Sequence, residues 1–92
     1  MKVTVKLFSI FIDLFGTKEK EIDLADGASI QDLLNLLCDA PKCREKIFDD
    51  SGKVRTHIQI IKNRRPVRSL DGINTPLADG DSIGILPPVF GG

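Results

Sequence analysis

Gly91 and Gly92 close the run Ile83-Gly84-Ile85-Leu86-Pro87-Pro88-Val89-Phe90-Gly91-Gly92, an apolar segment that passes through two prolines to a tip without side chains. The chemistry available to such a tip is acyl chemistry, because nothing shields the carbonyl carbon of a terminal Gly92 carboxylate from attack. Proline fixes φ and favours the extended polyproline geometry, so Pro87-Pro88 should hold residues 87–92 out as a semi-rigid arm. Fully extended, that arm reaches at most about 20 Å. Glycine lacks Cβ, which lets Gly91 and Gly92 enter a channel too narrow for any other residue. A frayed end is the ordinary expectation for a terminus, but disposable tails are usually polar, and this one reads Pro-Pro-Val-Phe. The arm carries no acid, base or nucleophile of its own. A terminus of this kind suits a carboxylate that another enzyme must reach and activate.

The remaining candidates for chemistry are sparse. Cys38 and Cys43 are spaced C-x4-C around Pro41, and His57 is the single histidine. Four ligands are the norm for zinc or an iron–sulfur cluster, so no metal site is expected. Cys38 continues an apolar helical stripe and reads as a small buried hydrophobe. Cys43 lies among Lys42, Arg44 and Lys46, a setting that lowers a thiol pKa, and neither cysteine requires a disulfide. His57 reads as a structural or surface residue. Arg64, Arg65 and Arg68 form a basic cluster, read either as a solvated turn or as a steering patch for an acidic partner surface.

Thirteen basic residues balance thirteen acidic ones in 92 residues, 41% of them hydrophobic. That balance favours neither nucleic acid nor an anionic membrane, and the length suits one domain with one core. The first residues alternate polar and apolar, unlike a signal peptide, and no run approaches a membrane span. A cytoplasmic protein is expected.

The elements that must position the arm follow from periodicity. Val3, Val5 and Leu7 alternate with Lys2, Thr4 and Lys6, predicting a half-buried strand to about Phe8. Ile10, Phe11 and Leu14 fit a short helix closed by Gly16. Residues 19–24 alternate again and predict a second strand. Ser29 and Asp32 form a capping-box pattern, ahead of Ile30, Leu33, Leu34 and Leu37 at i, i+3, i+4 and i+7, the stripe of the principal helix. Pro41 should start another short helix that carries Ile47 and Phe48 inward, followed by a loop at 49–52. Ile58-Gln59-Ile60-Ile61 reads as a central strand buried on both faces. Asn63 in a left-handed conformation turns the chain there. Val67 begins an edge strand, Asp79-Gly80 is a tight turn, and 82–86 is the last strand, feeding the arm. The order is ββαβ(β)β with one principal helix.

That order resembles the β-grasp sulfur carriers, namely the small subunit of molybdopterin synthase and the thiamine sulfur carrier. The resemblance spans the chain. It is carried by residues 70–83, with Thr75-Pro76-Leu77 and the Asp79-Gly80-Asp81 turn, and then by Leu86-Pro87-Pro88-Val89-Phe90-Gly91-Gly92. The Pro-Pro-Val stretch points to the molybdopterin branch. The resemblance implies an α+β, ubiquitin-like β-grasp domain over 1–86, a mixed four- to five-stranded sheet on one principal helix, with a protruding tail over 87–92. It also implies a mechanism. An adenylyltransferase of the ubiquitin-activating type uses ATP to convert the Gly92 carboxylate into an acyl-adenylate, and a sulfur donor displaces AMP to leave a thiocarboxylate. The tail then delivers that sulfur inside the large subunit of molybdopterin synthase, in a hetero-tetramer. On this expectation the chain is a co-substrate and not an enzyme, and it binds no cofactor, metal, nucleic acid or membrane. Gly91, Pro87 and Pro88 thread the tail, while Leu86, Val89, Phe90 and Phe8 dock on the partner.

Phe90 stands where the family usually has a small residue, so the partner should offer a wider or apolar pocket at that depth. Asn63-Arg64 replaces a frequent Asn-Gly, which should alter only the turn and its charge. Three alternatives stay open: a ubiquitin-like modifier that passes Gly92 to lysines, a carrier for another acceptor (thiazole, cysteine or a tRNA base), and a binding module with an inert tail.

Overall fold

The computed structural model of the chain describes residues 1–55 and 58–87; His57 and most of the predicted tail lie outside that range. The alternation at the start forms strand β1 (Lys2–Leu7), with Val3, Val5 and Leu7 buried and the residues between them turned outward. Helix α1 (Ile10–Phe15) follows and ends at Gly16 in the left-handed conformation that a Cβ disfavours, φ 74°. Strand β2 (Glu19–Asp23) returns antiparallel to β1, pairing Val3 with Ile22.

Helix α2 (Ile30–Leu37) begins in the predicted capping box: the Ser29 amide donates to Asp32 Oδ2 at 2.9 Å, and the Asp32 amide donates to Ser29 Oγ at 3.4 Å. Its stripe of Ile30, Leu33, Leu34 and Leu37 is buried against the sheet, each side chain contributing about 1.5–3 kcal/mol of burial. Helix α3 (Pro41–Ile47) starts at its proline and buries Ile47, with Phe48 buried directly after it. In the 49–52 loop, the Asp49 carboxylate accepts hydrogen bonds from the Ser51 hydroxyl and from the Ser51 and Lys53 amides.

Strands β3 (Gln59–Lys62), β4 (Arg65–Pro66) and β5 (Ser82–Leu86) complete a five-stranded sheet in the order β2-β1-β5-β3-β4. Strand β5 is the central one, parallel to β1 and antiparallel to β3. This corrects two expectations. The central strand is β5 and not the 58–61 segment, which is backed only by the two-residue β4; Ile60 is buried, whereas Ile61 faces the open side and is half-buried. Val67 begins a 3-10 turn (Val67–Ser69) instead of a strand, because the edge strand is already over at Pro66.

A third correction concerns the cysteines. Cys38 and Cys43 are joined in a disulfide, with their Cα atoms 5.3 Å apart. Cys38 caps the end of α2, and Pro41 starts α3 three residues later, so the corner between the helices sets both Cβ atoms within bonding range. Both cysteines are buried, and in this state Cys43 offers no thiolate. The Arg44 guanidinium closes the same corner by donating to the Cys38 carbonyl at 3.2 Å while lying over the Phe48 ring.

Thr75-Pro76-Leu77 is part of the scaffold. The Thr75 hydroxyl donates to the Gly72 carbonyl at 2.7 Å, and the Leu77 amide donates to the Ala28 carbonyl at 2.9 Å, which ties this segment to the start of α2. Among the described residues no helix is long and apolar enough to cross a membrane.

Candidate functional site

The side of the sheet away from α2 carries the candidate site. Because Ile83 and Ile85 point into the core, Ser82, Gly84 and Leu86 of β5 point out, and the parallel register sets Gly84 beside Lys6 of β1. The antiparallel register on the other side sets Gly84 beside Ile61 of β3 and Leu86 beside Gln59. Phe8, one residue past β1, lies over this strip and is 43% exposed, so it is not a core residue. Gly84 forms the floor: a Cβ built on it would lie 3.6 Å from Phe8 Cε2, 3.6 Å from Leu86 Cδ1 and 3.9 Å from the Ile61 Cβ. Together these residues make a shallow apolar groove of about 370 Å³, with Lys6, Arg64 and Ser82 also in its wall.

Two backbone features frame the groove. Ser9, immediately after Phe8, has φ 55° and ψ −125°, and the Phe11 amide donates to the Phe8 carbonyl at 3.1 Å. Those are the angles of the first central residue of a type II′ turn, a position that favours glycine, and here Ser9 adopts them as the residue before α1. At the other end, Asn63 and Arg64 both have positive φ, 47° and 73°, the signature of a type I′ hairpin turn. Arg64 therefore adopts a conformation that costs a residue with a Cβ about 1–2 kcal/mol, and in doing so reaches the groove wall.

The turn is locked to β5. The Asn63 side-chain amide donates to Asp81 Oδ1 at 2.9 Å and accepts from the Ser82 amide at 2.9 Å, while the Ala78 amide donates to Asp81 Oδ2 at 2.8 Å. Burial alone would raise the Asp81 carboxyl, but the Ala78 amide, the Asn63 amide and the Lys62 ammonium 3.5 Å away outweigh it and hold it below its ordinary value. The Asp79-Gly80 turn is pinned in the same way, the Lys2 amide donating to Asp79 Oδ1 at 2.7 Å.

Of the sequence-predicted docking residues, Phe8 and Leu86 come together in this groove, and Pro87 follows Leu86 out of it, half-buried. Pro88, Val89, Phe90, Gly91 and Gly92 lie outside the described residues. The arginines separate. Arg64 lines the groove, Arg65 is exposed on β4, and Arg68 lines another groove, of about 180 Å³, with Arg55, Val67 and Ile73. Ile61, Gly84, Lys6 and Ser82 were missed by sequence reasoning. The alternation that buries Val5, Ile83 and Ile85 turns Lys6, Ser82 and Gly84 outward, and would have found them. Among the described residues no carboxylate, histidine or thiol lines the groove. Its lining is apolar, with the cations Lys6 and Arg64 and the Ser82 hydroxyl in the wall.

Comparison with known proteins decides the family. The model of the ThiS family matches residues 5–92. The chain belongs to the ThiS family. It is 33% identical, over the full length of both chains, to small archaeal modifier protein 3 of Haloferax volcanii. It is 35% identical, again over both full lengths, to the sulfur carrier protein CysO of Mycobacterium tuberculosis. The molybdopterin synthase sulfur carrier subunit of Chlamydomonas reinhardtii is 29% identical over both full lengths. Among solved structures, small archaeal modifier protein 1 of Methanosarcina acetivorans superposes with a TM-score of 0.86 at 36% identity, covering 99% of this chain and 96% of that one. The ThiS-family chain described here is thus a ubiquitin-like β-grasp protein, of a family that holds sulfur carriers and ubiquitin-like modifiers.

Proposed function

We propose that this ThiS-family protein is a sulfur carrier whose Gly92 carboxylate is the loaded group. The observation that carries the reading is the family match, which runs through Gly91-Gly92 and includes the apolar Leu86-Pro87-Pro88-Val89-Phe90 stretch that leaves the central strand. A carboxylate is a poor electrophile. An oxygen of it must first attack the α-phosphorus of ATP in an adenylating partner, releasing pyrophosphate, so that AMP becomes the leaving group. A sulfide-level donor then attacks the acyl carbon and expels AMP, leaving a thiocarboxylate. The acceptor in this reading is the pterin precursor of molybdopterin, held by a large synthase subunit, and the relative from Chlamydomonas supports that choice. Catalytic groups belong to the partners, and ATP is the activating enzyme's substrate. Phe8, Ile61 and Leu86 dock, with Val89 and Phe90 extending the contact along the tail.

Intact mass of the protein isolated from its native host tests the chemistry: a species with one oxygen replaced by sulfur is expected. Appending one alanine beyond Gly92 should abolish that species while leaving the fold unchanged. A fully functional extended form, not trimmed back to Gly92, would overturn the reading.

A second reading is favoured by the full-length identity to a small archaeal modifier protein. In it, activated Gly92 is passed to lysine amines of other proteins. A ladder of conjugates that is lost when Gly92 is removed marks that outcome. Loss of molybdenum-cofactor synthesis without a ladder marks the first.

A further inference from the structure

The far edge of the sheet, opposite β4, carries a second surface. Strand β2 is the outermost strand there. The Leu7 amide donates to the Lys18 carbonyl, and the Leu24 amide donates to the Met1 carbonyl, so Lys18, Lys20, Ile22 and Leu24 direct their backbone groups inward to β1. Glu19, Glu21 and Asp23 consequently direct theirs outward. Thr17 satisfies Glu19: its hydroxyl donates to the Glu19 carbonyl at 2.8 Å and accepts from the Glu19 amide at 3.3 Å. Glu21 and Asp23 have no such cover among the described residues. Their amides and carbonyls form a short open edge.

Beside that edge, between β2 and the start of α2, runs a groove whose apolar lining includes Leu24 and Leu36, with Asp23, Asp26 and Asp32 in its walls. Leu36 is 56% exposed and is the most exposed large apolar side chain among the described residues. The carboxylates of Asp23, Asp26 and Asp32 are exposed at this groove and those of Glu19 and Glu21 are exposed along β2, against the single base of the strand, Lys20. Lys2 and Lys6 stand across β1 from Asp23 and Glu19 but form no ion pair with them among the described residues.

We propose that this edge is a second docking site, for an extended basic peptide segment of a partner protein that adds to β2 as a sixth strand. Pairing with Glu21 and Asp23 would supply main-chain hydrogen bonds. Side chains of an added strand alternate between the two faces of the sheet. Those on the α2 side meet Leu24 and Leu36 and should be apolar, while those on the open side meet Glu19, Glu21 and Asp23 and should be lysine or arginine. Charge decides against a second copy of this chain, since two copies pairing through this edge would bring like carboxylates together. The site lies on the opposite side of the sheet's central strand from β3 and β4, and it stands whether the tail carries sulfur, modifies lysines or does neither.

The test uses the full-length protein, labelled with nitrogen-15, titrated with a seven-residue peptide of alternating lysine and valine. The control replaces each lysine with glutamate. Amide shifts should centre on Lys20 to Leu24 and on Leu36, with the lysine peptide binding at least about tenfold more tightly than the control. Leu36→Arg and the double variant Asp23→Lys/Asp26→Lys, both at exposed positions, should each weaken binding by about tenfold or more with the rest of the spectrum retained. No saturable binding, equal binding of the two peptides, shifts centred on Phe8 and Ile61, or affinity unmoved by both variants would each overturn the proposal. A concentration-dependent dimer of the peptide-free protein, abolished by Leu36→Arg, would overturn it in favour of a second copy.

Discussion

Among the described residues, three that are not glycine sit in backbone conformations that glycine would occupy more cheaply, and two of them, Ser9 and Arg64, frame the apolar groove. Ser9 fixes the turn that leaves Phe8 on the open face, and Arg64 carries its guanidinium to the wall at the cost of a left-handed residue. Replacing either with glycine removes that cost but enlarges the conformational entropy of the unfolded chain. Ser9→Gly and Arg64→Gly should therefore each stabilise the fold by about 0.5–1 kcal/mol, read as a higher denaturation midpoint at unchanged slope. The two variants separate in function. Arg64→Gly should also weaken partner association, because the charge at the wall is gone, whereas Ser9→Gly keeps Phe8 and every charge in place. A stabilised Arg64→Gly with undiminished association would mean that the arginine is a turn residue and nothing more.

At the scale of elements, most of the fold was legible because local signals agreed. The alternation of Val3, Val5 and Leu7, the Ser29–Asp32 box with its four-residue stripe, Pro41 at a helix start and Asp79-Gly80 at a turn each specify one structure by short-range physics. What escaped the sequence was non-local. An apolar run such as Ile58-Gln59-Ile60-Ile61 carries no mark of which neighbour lies beyond it, so Ile61 was taken for core when it lines the groove. The same limit applies to the cysteines, since C-x4-C becomes a crosslink only through the corner between α2 and α3. That corner closes a loop of sequence separation 5, for which chain entropy alone gives about 2 kcal/mol of stabilisation. Reduction in a mild phosphine should lower the melting temperature by roughly 10 °C, with thiol titration confirming two free groups. No shift on full reduction would show that the α2–α3 corner is held by Arg44 and the buried Ile47 and Phe48 alone.

The Asn63–Asp81 lock joins elements far apart in sequence, and its effect is set by pH. The Asp81 carboxyl is held below its ordinary value of 3.8, so the folded state binds this proton less readily than the unfolded one. Its contribution to stability is fully present above the ordinary carboxylate value and is lost as pH falls through the lower folded value. At neutral pH, Asp81→Asn should cost about 1.5–3 kcal/mol, as expected for removing charged hydrogen bonds from a buried site. That gap should narrow below about pH 4. Urea unfolding of both forms across an acid series checks it, and a gap independent of pH would place the stabilisation in packing instead of charge.

For the molecule as a whole, equal numbers of acidic and basic residues leave no net field to guide a partner. Any steering must come from how charge is distributed, and the sheet distributes it unevenly. Lys6 and Arg64 sit at the groove on the β1–β5–β3 face, whereas Glu19, Glu21, Asp23, Asp26 and Asp32 gather at the β2 edge. Arg68, four residues beyond Arg64, lies in the other groove with Arg55. Reversing Lys6 and Arg64 together to glutamate should slow association with the adenylating partner at low salt, with most of the effect on the forward rate. The difference should shrink as the Debye length falls from about 30 Å at 0.01 M to about 3 Å at 1 M salt. Arg68→Glu should leave the forward rate close to wild type, because its charge faces a different groove. Stopped-flow association at several ionic strengths separates these cases. Equal slowing by Arg68→Glu would mean that the partner feels the summed arginine charge and not the groove, and an unchanged rate in the double reversal would remove steering from the account altogether.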